Sequence, residues 1–568
     1  MVRVTCLGGV GTVTGSSYLV ESAAGKKVLV DCGLFQGGKN MEERNWKDWG
    51  FDPGRISTLF LTHAHIDHSG KIPKLVKDGF KGRIVTSAPT AELCSIMLLD
   101  AAHVQEMDAE WQTRKNRRRS NQEVLPLYTT EDAEASLKLL SPVEKDKVVE
   151  PEPGIRARMR NSGHILGSSI LELWVEGGKT PLKIVFSGDL GKKNQLIVQD
   201  PQEIFDADYL FLESTYGNRL HRSLEESKAE LLDAIQYAVA HKERILIPAF
   251  AVERTQEILY ILGEFQRAGR LPKIPIFVDS PLAIKATEIF RKNKKYYDEE
   301  AQAIVDQGYD PFNMPNLQYT PTTEESRAIN ETKGSAIVIA GNGMCTAGRI
   351  RHHLKHHLWR PGTSLVIVGF QAQGSTGRQI VDGAKEVRLF GETVSVKAKV
   401  FTIGGFSAHA DQNDLLEWAG HFESKPRVFL VHGEPSASES LAAKIRERLG
   451  LDVYIPKWKE RLVLKPREVV VEKAAEPESL PDLQAAMFHT IVDLENHLEN
   501  LKKRVQSRKD LIEEDVDRMK YIEEEIRGIA EEWRFAEAEE WSVGWEKAGK
   551  NLSLAETQRT QREKSTKV

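Results

Sequence analysis

Cysteine is scarce in this sequence, and long apolar runs are absent from it. The four cysteines among 568 residues (Cys6, Cys32, Cys94 and Cys345) are isolated, and no Cys-x-x-Cys pair occurs. Their isolation argues against a disulfide framework and a thiolate zinc site, and it predicts a reducing, cytoplasmic location. No apolar run approaches the length of a membrane span, and the first residues read as a strand rather than a signal peptide. We therefore expect no membrane partner.

The sequence also lacks a strong net charge, since its formal net charge at pH 7 is −5. From Glu476 onward the chain has 22 acidic and 15 basic residues, a net charge of −7 that leaves +2 for the rest. The overall balance therefore does not exclude a polyanionic substrate, because the local field near a site steers a ligand.

A hydrophobic content of 40% over this length is sufficient for several domains with a sizeable core.

The most informative stretch begins at residue 61 and reads Leu-Thr-His-Ala-His-Ile-Asp-His-Ser-Gly. It follows an apolar strand and places three imidazoles and one carboxylate within six positions: His63, His65, Asp67 and His68. Where the strand ends, the chain turns and a helix begins, so these side chains can face a common point from two directions. Imidazole nitrogen and carboxylate oxygen are the ligands that zinc accepts in open, catalytic sites. The pattern therefore favours a site for two metal ions over a histidine-rich surface turn.

Two further candidate ligands lie where a site at strand ends needs them. His164 stands in a glycine-framed turn before a strand, and Asp189 stands at the end of the next strand. Taken alone, a histidine between glycines is more often a hydrogen-bonded loop residue than a metal ligand. The preceding ligand run and the second carboxylate at a strand end reverse that expectation here.

The chain divides into regions of different pattern. Short β-branched strands fill residues 1–205, interrupted by a polar helical stretch from Pro89 to about Ser120. From about residue 208 to 397, strands and helices alternate, which is typical of a parallel sheet with helices on both faces. Short strands return over residues 398–465, beginning with Lys399–Ile403. We therefore expect the second domain to be inserted into the first.

The C-terminal region has the pattern of amphipathic helices. From Met487 to Val505, apolar residues follow one another at intervals of four and three residues in turn. After a polar break, apolar residues continue from Ile512 to Ile529. Packing against the core and self-association into a homodimer or larger assembly are both compatible with this pattern. The last stretch, from Asn551, is polar and expected to be disordered.

Taken together, the candidate ligands resemble those of the metallo-β-lactamase fold, with Asp31 matching the aspartate of its first motif. Three further stretches, around Glu213, His409 and His432, resemble motifs A, B and C of the β-CASP nucleases. The match covers roughly residues 3–465. It is nearest to prokaryotic homologues of the endonuclease subunit of the cleavage and polyadenylation specificity factor.

This resemblance implies an α/β fold with three parts. A metallo-β-lactamase αββα sandwich would comprise residues 1–207 and 398–465, with a β-CASP parallel-sheet domain inserted over residues 208–397. A helical, coiled-coil-like extension would follow over residues 466–568.

The resemblance also implies two zinc ions per chain and a role for each motif residue. It assigns His63, His65 and His164 to one ion and Asp67, His68 and His432 to the other, with Asp189 bridging them. Asp31 would hold the ligand loop in position from outside. His409 would protonate the departing ribose oxygen, and Glu213 would orient His409 or raise its pKa. Asp67 counts among the catalytic residues.

The expected activity is zinc-dependent hydrolysis of single-stranded RNA. The resemblance favours RNA over DNA, because histidine at motif C accompanies RNA-active members of that family. Cleavage is expected to be endonucleolytic, with additional 5′-to-3′ exonucleolytic action left open. The basic run Arg114–Arg119 could neutralise phosphates or be a solvated helix face. Five residues after strands of the insertion are expected to contact substrate: Arg254, Gly343, Arg349, Ser375 and Arg378.

The sequence departs from the family pattern at two places and leaves two other functions open. Gly341-Asn342 stands where relatives commonly have a serine pair, and Glu253 stands where many have glycine. A small-molecule hydrolase of the same fold would share the metal ligands but would not need Glu213, His409 or the insertion. An RNA-binding subunit of a larger assembly would not need the complete ligand set.

Overall fold

The computed structural model describes residues 1–472 apart from residues 117–122, 178–179, 370, 372–373 and 466–467. The expected amphipathic helices and polar end of the C-terminal region lie outside the described residues, as do Arg117, Arg118 and Arg119. No helix in the described part of the chain is long and apolar enough to cross a membrane.

The strands of the described residues are β1 (Val2–Gly8), β2 (Ser17–Glu21), β3 (Lys27–Val30), β4 (Ile56–Phe60), β5 (Arg83–Ser87), β6 (Leu140–Val143), β7 (Val148–Glu152), β8 (Ile155–Asn161), β9 (Ser169–Glu176), β10 (Pro181–Phe186), β11 (Tyr209–Glu213), β12 (Ile245–Pro248), β13 (Ile276–Val278), β14 (Leu317–Tyr319), β15 (Ile337–Ala340), β16 (Ser364–Ile367), β17 (Glu386–Leu389), β18 (Glu392–Ser395), β19 (Lys399–Thr402), β20 (Arg427–Val431), β21 (Val453–Tyr454), β22 (Arg461–Lys465) and β23 (Glu468–Glu472). The α-helices are α1 (Lys39–Glu43), α2 (Ile66–Ser69), α3 (Ile72–Lys77), α4 (Ala88–Asn116), α5 (Thr130–Leu137), α6 (Leu224–Ala240), α7 (Arg254–Arg267), α8 (Pro281–Lys292), α9 (Glu299–Asp306), α10 (Thr323–Ala328), α11 (Ile350–His357), α12 (Thr376–Val381), α13 (Gln412–Gly420) and α14 (Pro435–Leu449).

Two large sheets pack face to face in the first domain. The first has the order β23-β22-β1-β2-β3-β4-β5-β6, and the second has the order β21-β20-β11-β10-β9-β8-β7. Alternate residues of β1 are buried, which is the period expected of a strand with one face on a core. The ring of Tyr18 in the first sheet lies 5.5 Å from that of Phe186 and 5.8 Å from that of Phe211 in the second. These contacts form one apolar layer between the sheets.

Helices cover the outer face of each sheet. Leu75 of α3 and Leu93 of α4 share a buried cluster with Leu59 of the first sheet. Leu415 of α13 and Leu441 of α14 pack in the same way against the second sheet. The layers are therefore helix, sheet, sheet, helix, as the sequence predicted.

The inserted domain contains a third sheet with the order β14-β13-β15-β12-β16-β19. All of its pairings are parallel, and β12 is buried along its whole length. Continuous burial is typical of a parallel strand with helices on both faces. Leu246 packs on the side of α11, whereas Ile247 packs on the side of α7 and α8. This confirms the predicted parallel sheet.

Three strands differ from the predicted organisation. β23 pairs with β22 in the first sheet, although residues 466–568 were expected to form a helical extension. β11 pairs with β10 and β20 in the second sheet of the sandwich, although the pattern predicted that it opens the insertion. β19 pairs with β16 in the parallel sheet, although it was expected in the returning part of the first domain. Short apolar strands at a crossing between domains carry no local signal for the sheet they join. The other predicted domain boundaries stay predictions.

Candidate active site

The candidate site lies where the carboxyl ends of several parallel strands meet. β3 and β4 run parallel in the first sheet, and β10, β11 and β20 run parallel in the second. Each of these strands ends at or just before one of the residues Asp31, His63, Asp189, Glu213 and His432. The loop between β8 and β9 supplies His164, and α2 supplies Asp67 and His68. Residues far apart in the sequence therefore converge at one edge of the sandwich.

One group of ligand atoms, the first ligand cluster, comprises His63, His65, His164 and Asp189, with all atoms within 4.8 Å of one another. The carboxylate Oδ2 of Asp189 lies 3.5 Å from His63 Nε2 and 3.6 Å from His164 Nε2. His164 Nε2 lies 3.1 Å from His65 Nδ1. Three imidazoles thus surround one carboxylate oxygen.

The second ligand cluster comprises Asp67, His68 and His432, also within 4.8 Å. His68 Nε2 lies 3.2 Å from His432 Nδ1, and His432 Nε2 lies 3.9 Å from Asp67 Oδ2. The other oxygen of Asp189, Oδ1, lies 3.2 Å from His68 Nε2 and 3.7 Å from His432 Nδ1. Asp189 therefore stands between the two clusters, and the grouping coincides with the ligand sets that the resemblance implied.

The donors of both clusters suit metal ions. His63 Nε2 and Asp189 Oδ1 are buried without a hydrogen-bond partner, although buried polar atoms are normally satisfied. Burial, and then the neighbouring imidazoles, hold the pKa values of His63 and His432 well below the usual range. Burial lowers the pKa of His65 to about 4. The lowered pKa values favour neutral rings at His63, His65 and His432, which keep a lone pair for a cation. Five imidazoles with two carboxylates are a donor set for zinc rather than magnesium.

Asp31 hydrogen-bonds to the loop that carries the candidate ligands, and its role in positioning them stays a prediction. Its Oδ1 accepts a hydrogen bond of 2.8 Å from Thr62 N, and its Oδ2 accepts one of 2.9 Å from Thr62 Oγ1. Asp31 Oδ2 also accepts a hydrogen bond of 2.8 Å from His68 Nδ1. Burial acts to lower the pKa of His68, but Asp189 and Asp31 outweigh it and raise the pKa well above its usual value. A Cβ atom at neighbouring Gly33 would lie 1.7 Å from Asp67 O, so only glycine fits beside α2.

Glu213 and His409 form a separate pair beside Asp189. Glu213 Oε1 accepts a hydrogen bond of 2.6 Å from Leu190 N and lies 3.3 Å from His409 Nδ1. The side chain of Glu213 is fully buried, whereas that of His409 is 22% exposed. Burial acts to lower the pKa of His409, but the Glu213 carboxylate outweighs it and raises the pKa to about 9. The raised pKa favours the protonated form of the His409 ring, which is open to solvent on one side.

Two residues that position the site were missed in the sequence. Ser16 Oγ lies 2.8 Å from His432 Nδ1, and His221 Nε2 lies 2.9 Å from the carbonyl oxygen of His409. The glycine-rich run from Gly8 to Ser17 was a signal for a close approach of backbone. His221 had no such signal, because its contact with His409 depends on the tertiary fold.

The five expected substrate contacts lie in the insertion, and two of their guanidinium groups already have partners. Arg254 is buried and paired with Glu257. Arg349 Nη1 lies 2.8 Å from Asp279 Oδ1 and donates a hydrogen bond of 2.6 Å to Thr320 O. These contacts stabilise the insertion itself, so substrate contacts by Arg254 and Arg349 stay predictions.

The other three lie close together. Gly343 O accepts a hydrogen bond from Gln371, and Ser375 caps α12 by accepting one of 3.1 Å from Arg378 N. The exposed guanidinium of Arg378 pairs with Asp382 at 2.9 Å. Contact of these residues with substrate also stays a prediction.

Most of the chain matches established protein families. Residues 10–249 match the metallo-beta-lactamase superfamily, and residues 255–380 match the Beta-Casp domain. Residues 393–456 match the Zn-dependent metallo-hydrolase RNA specificity domain.

Relatives match over much of their length. A ribonuclease of Thermus thermophilus is 38% identical over 459 residues, which cover 81% of this chain and 99% of that protein. The transcription termination factor FttA of Thermococcus kodakarensis is 30% identical over 482 residues, covering 82% of this chain and 72% of that protein. The factor of the same name from Methanosarcina mazei is 29% identical over 79% of this chain and 70% of its own length. With its ligand clusters, inserted parallel sheet and these matches, the chain belongs to the β-CASP family of the metallo-β-lactamase superfamily.

Proposed function

We propose that this chain is a metal-dependent ribonuclease that hydrolyses internal phosphodiester bonds of single-stranded RNA with two zinc ions. The observation that carries the proposal is the placement of two ligand clusters around Asp189, with His409 beside them. The matched RNA specificity domain and the name of the Thermus thermophilus relative support RNA as the substrate.

The seven ligand residues would hold the metal ions. Zinc bound there acidifies water and offsets negative charge on a phosphate. Because His409 Nδ1 faces Glu213, Nε2 is the nitrogen left to donate a proton to the departing ribose oxygen. Glu213 is itself held by Leu190 N and Thr215 N, so it keeps the imidazole ring in one orientation. Because His409 donates this proton, the ribose oxygen leaves as an alcohol and not as an alkoxide.

The test is cleavage of a single-stranded RNA labelled at either end. The metal-loaded wild-type protein should make internal cuts, whereas Asp67→Asn should make none, because Asp67 belongs to the second ligand cluster. The two labels separate internal cutting from degradation that starts at the 5′ end. Wild-type protein that contains two metal ions and leaves RNA intact would contradict the proposal.

Two alternatives give different results in the same preparation. A small-molecule hydrolase would open a lactam or thioester without cutting RNA. An RNA-binding subunit would retain RNA without binding metal at the clusters, so metal content separates it from a nuclease.

Assembly through residues 466–568 is proposed as a second property. Light scattering on the full chain and on a chain that ends at residue 474 tests it. An unchanged oligomeric state in the shorter chain would contradict assembly through this region.

A further inference from the structure

A cationic pocket lies next to the second ligand cluster and has no role in the mechanism above. It is formed by Arg44, Lys47, Lys71 and Lys459 around the indole rings of Trp49 and Trp458. The segment between β3 and β4, the turn before α3 and the turn before β22 bring these residues together.

The indole rings hold the cations in place. Arg44 Cζ lies 4.2 Å from the ring centroid of Trp458, and Lys459 Nζ lies 4.9 Å from it. Lys71 Nζ lies 4.3 Å from the ring centroid of Trp49. Both rings are anchored, since Trp458 Nε1 donates a hydrogen bond of 2.8 Å to Leu7 O and Trp49 Nε1 donates one of 2.7 Å to Asp78. Rigid rings that face cations keep the charges at defined positions.

Among the described residues, no ion pair neutralises the three lysines of this pocket. Within the described part of the chain, Lys47, Lys71 and Lys459 have no carboxylate at ion-pair distance. Lys71 is only 8% exposed, and lysine is seldom buried without a partner. The acid that lines the pocket is the exposed Asp48, so three lysines face one carboxylate. Such a site favours an anionic ligand.

The pocket and the second ligand cluster share one stretch of backbone. Gly15 and Ser17 line the pocket, whereas Ser16 between them contacts His432 through its Oγ at 2.8 Å. Ser16 N also donates a hydrogen bond of 2.9 Å to Asp67 O. Only one residue along the backbone therefore separates the second ligand cluster from the cationic pocket. A polymer bound at the ligand clusters would lie next to this cationic surface.

We propose that the cationic pocket binds backbone phosphates of the RNA strand close to the scissile bond. The identity of the strand as RNA rests on the proposed function. Several cations at fixed positions suit successive phosphates, and aromatic side chains between them are the usual partners of single-stranded bases. A small anion would need only one or two of these charges.

The test measures RNA affinity without cleavage, in the full chain carrying Asp67→Asn. Binding of a single-stranded RNA of about 20 nucleotides is measured between about 50 and 200 mM salt. The double variant Lys47→Gln/Lys459→Gln should bind on the order of tenfold more weakly at the lower salt. The slope of log affinity against log salt should fall by about 1.4, since each phosphate contact contributes about 0.7.

Lys385→Gln is the matched control, because Lys385 is an exposed lysine of the insertion outside the pocket. It should leave affinity and slope unchanged. An unchanged slope in the double variant, or an equal change in the control, would overturn the proposal. Weaker binding of uridine monophosphate with an unchanged slope for RNA would overturn it too, since the pocket would then be a mononucleotide site.

Failure of the nuclease function is distinguishable from failure of the pocket. If the variants behave as expected and wild-type protein does not cleave RNA, the pocket stands and the ribonuclease proposal falls. If wild-type protein cleaves RNA and the slope does not change, only the pocket proposal falls.

Discussion

At the residue scale, the chemistry of the site depends on which nitrogen of each imidazole is already occupied. His68 donates from Nδ1 to Asp31, and His164 Nδ1 lies 3.3 Å from the carbonyl oxygen of Ala408. Both therefore present Nε2 to the ligand clusters. His409 likewise has its Nδ1 facing Glu213, but its ring is partly exposed, whereas those of His68 and His164 are buried. Exposure thus distinguishes the proposed proton donor from the candidate metal ligands.

Replacing His409 by alanine should remove the proton donor and leave the metal content unchanged. We expect cleavage to fall by about 10²- to 10⁴-fold, the usual contribution of a positioned general acid. Rates on single-stranded RNA and metal analysis of the same sample check this. His421→Ala is the control, because His421 pairs with Glu203 outside the ligand clusters. Normal cleavage by His409→Ala would rule out the assigned role.

Asp31→Asn should weaken metal binding without removing a ligand. Asparagine tolerates the left-handed backbone at this position, where φ is 56°, but it has no charge beside His68. We expect the metal affinity to fall by about 10- to 100-fold, as for other residues that orient a ligand. Competition with a chelator measures it, with Asp52→Asn at an exposed turn as control. Equal affinity in both variants would show that Asp31 does not orient the site.

At the scale of elements, a buried carboxyl joins the insertion to the ligand loop. Glu253 precedes α7, and its Oε2 accepts a hydrogen bond of 3.2 Å from Leu166 N, two residues after His164. Burial, and then the charge of Glu257, raise the pKa of Glu253 to about 8. This residue, a departure from the family pattern, therefore makes a contact between domains in its protonated form.

Glu253→Gln should change how stability depends on pH. Because the folded-state pKa lies above the ordinary value, the wild-type protein loses stability as pH rises from 4.5 to about 8. Glutamine cannot ionise and keeps an oxygen for Leu166 N. Relative to wild type, the variant should gain stability across this window, on the order of a few kcal/mol.

Thermal unfolding of both proteins at the two ends of the window checks this. Comparing the two proteins at each pH cancels the pH dependence of the metal site. A difference in midpoint that is the same at both ends would contradict the raised pKa.

At the scale of the whole molecule, the ligand clusters join the two sheets of the sandwich. His63 follows a strand of the first sheet, whereas Asp189 and His432 follow strands of the second. A metal ion bound to residues from both sheets would stabilise the packed form over the unfolded chain. Without a metal ion, the buried carboxylate of Asp189 is incompletely paired.

Removing metal with a chelator should therefore lower the unfolding midpoint of the wild-type protein. A ligand at 100 times its dissociation constant contributes about 2.7 kcal/mol, so the shift should be several degrees. Scanning calorimetry before and after chelation measures it. Asp67→Asn should show a smaller shift, because the second ligand cluster is incomplete. An equal shift of the midpoint in both proteins would show that chelation does not act through the second ligand cluster.

The order of strands shows where prediction from the sequence stops. The apolar runs Ile245–Pro248 and Ile337–Ala340 predicted buried parallel strands, because a strand covered on both faces has no polar side. The run Tyr209–Glu213 looks the same but belongs to another sheet. Its partner in the sandwich, Arg427–Val431, follows only after the whole insertion. No local pattern specifies a pairing over that separation.

By itself, the sequence determined the ligand types, the family and the classes of sheet, because spacing along the chain and side-chain chemistry are local properties. Only the tertiary structure decided which residues meet: Ser16 and His432 are 416 residues apart, and Glu213 and His409 are 196 apart. It also decided that Arg349 pairs with Asp279 and that the cationic pocket lies beside the ligand clusters. The physical reason is that pairing and burial depend on how the sheets pack, which single segments do not encode.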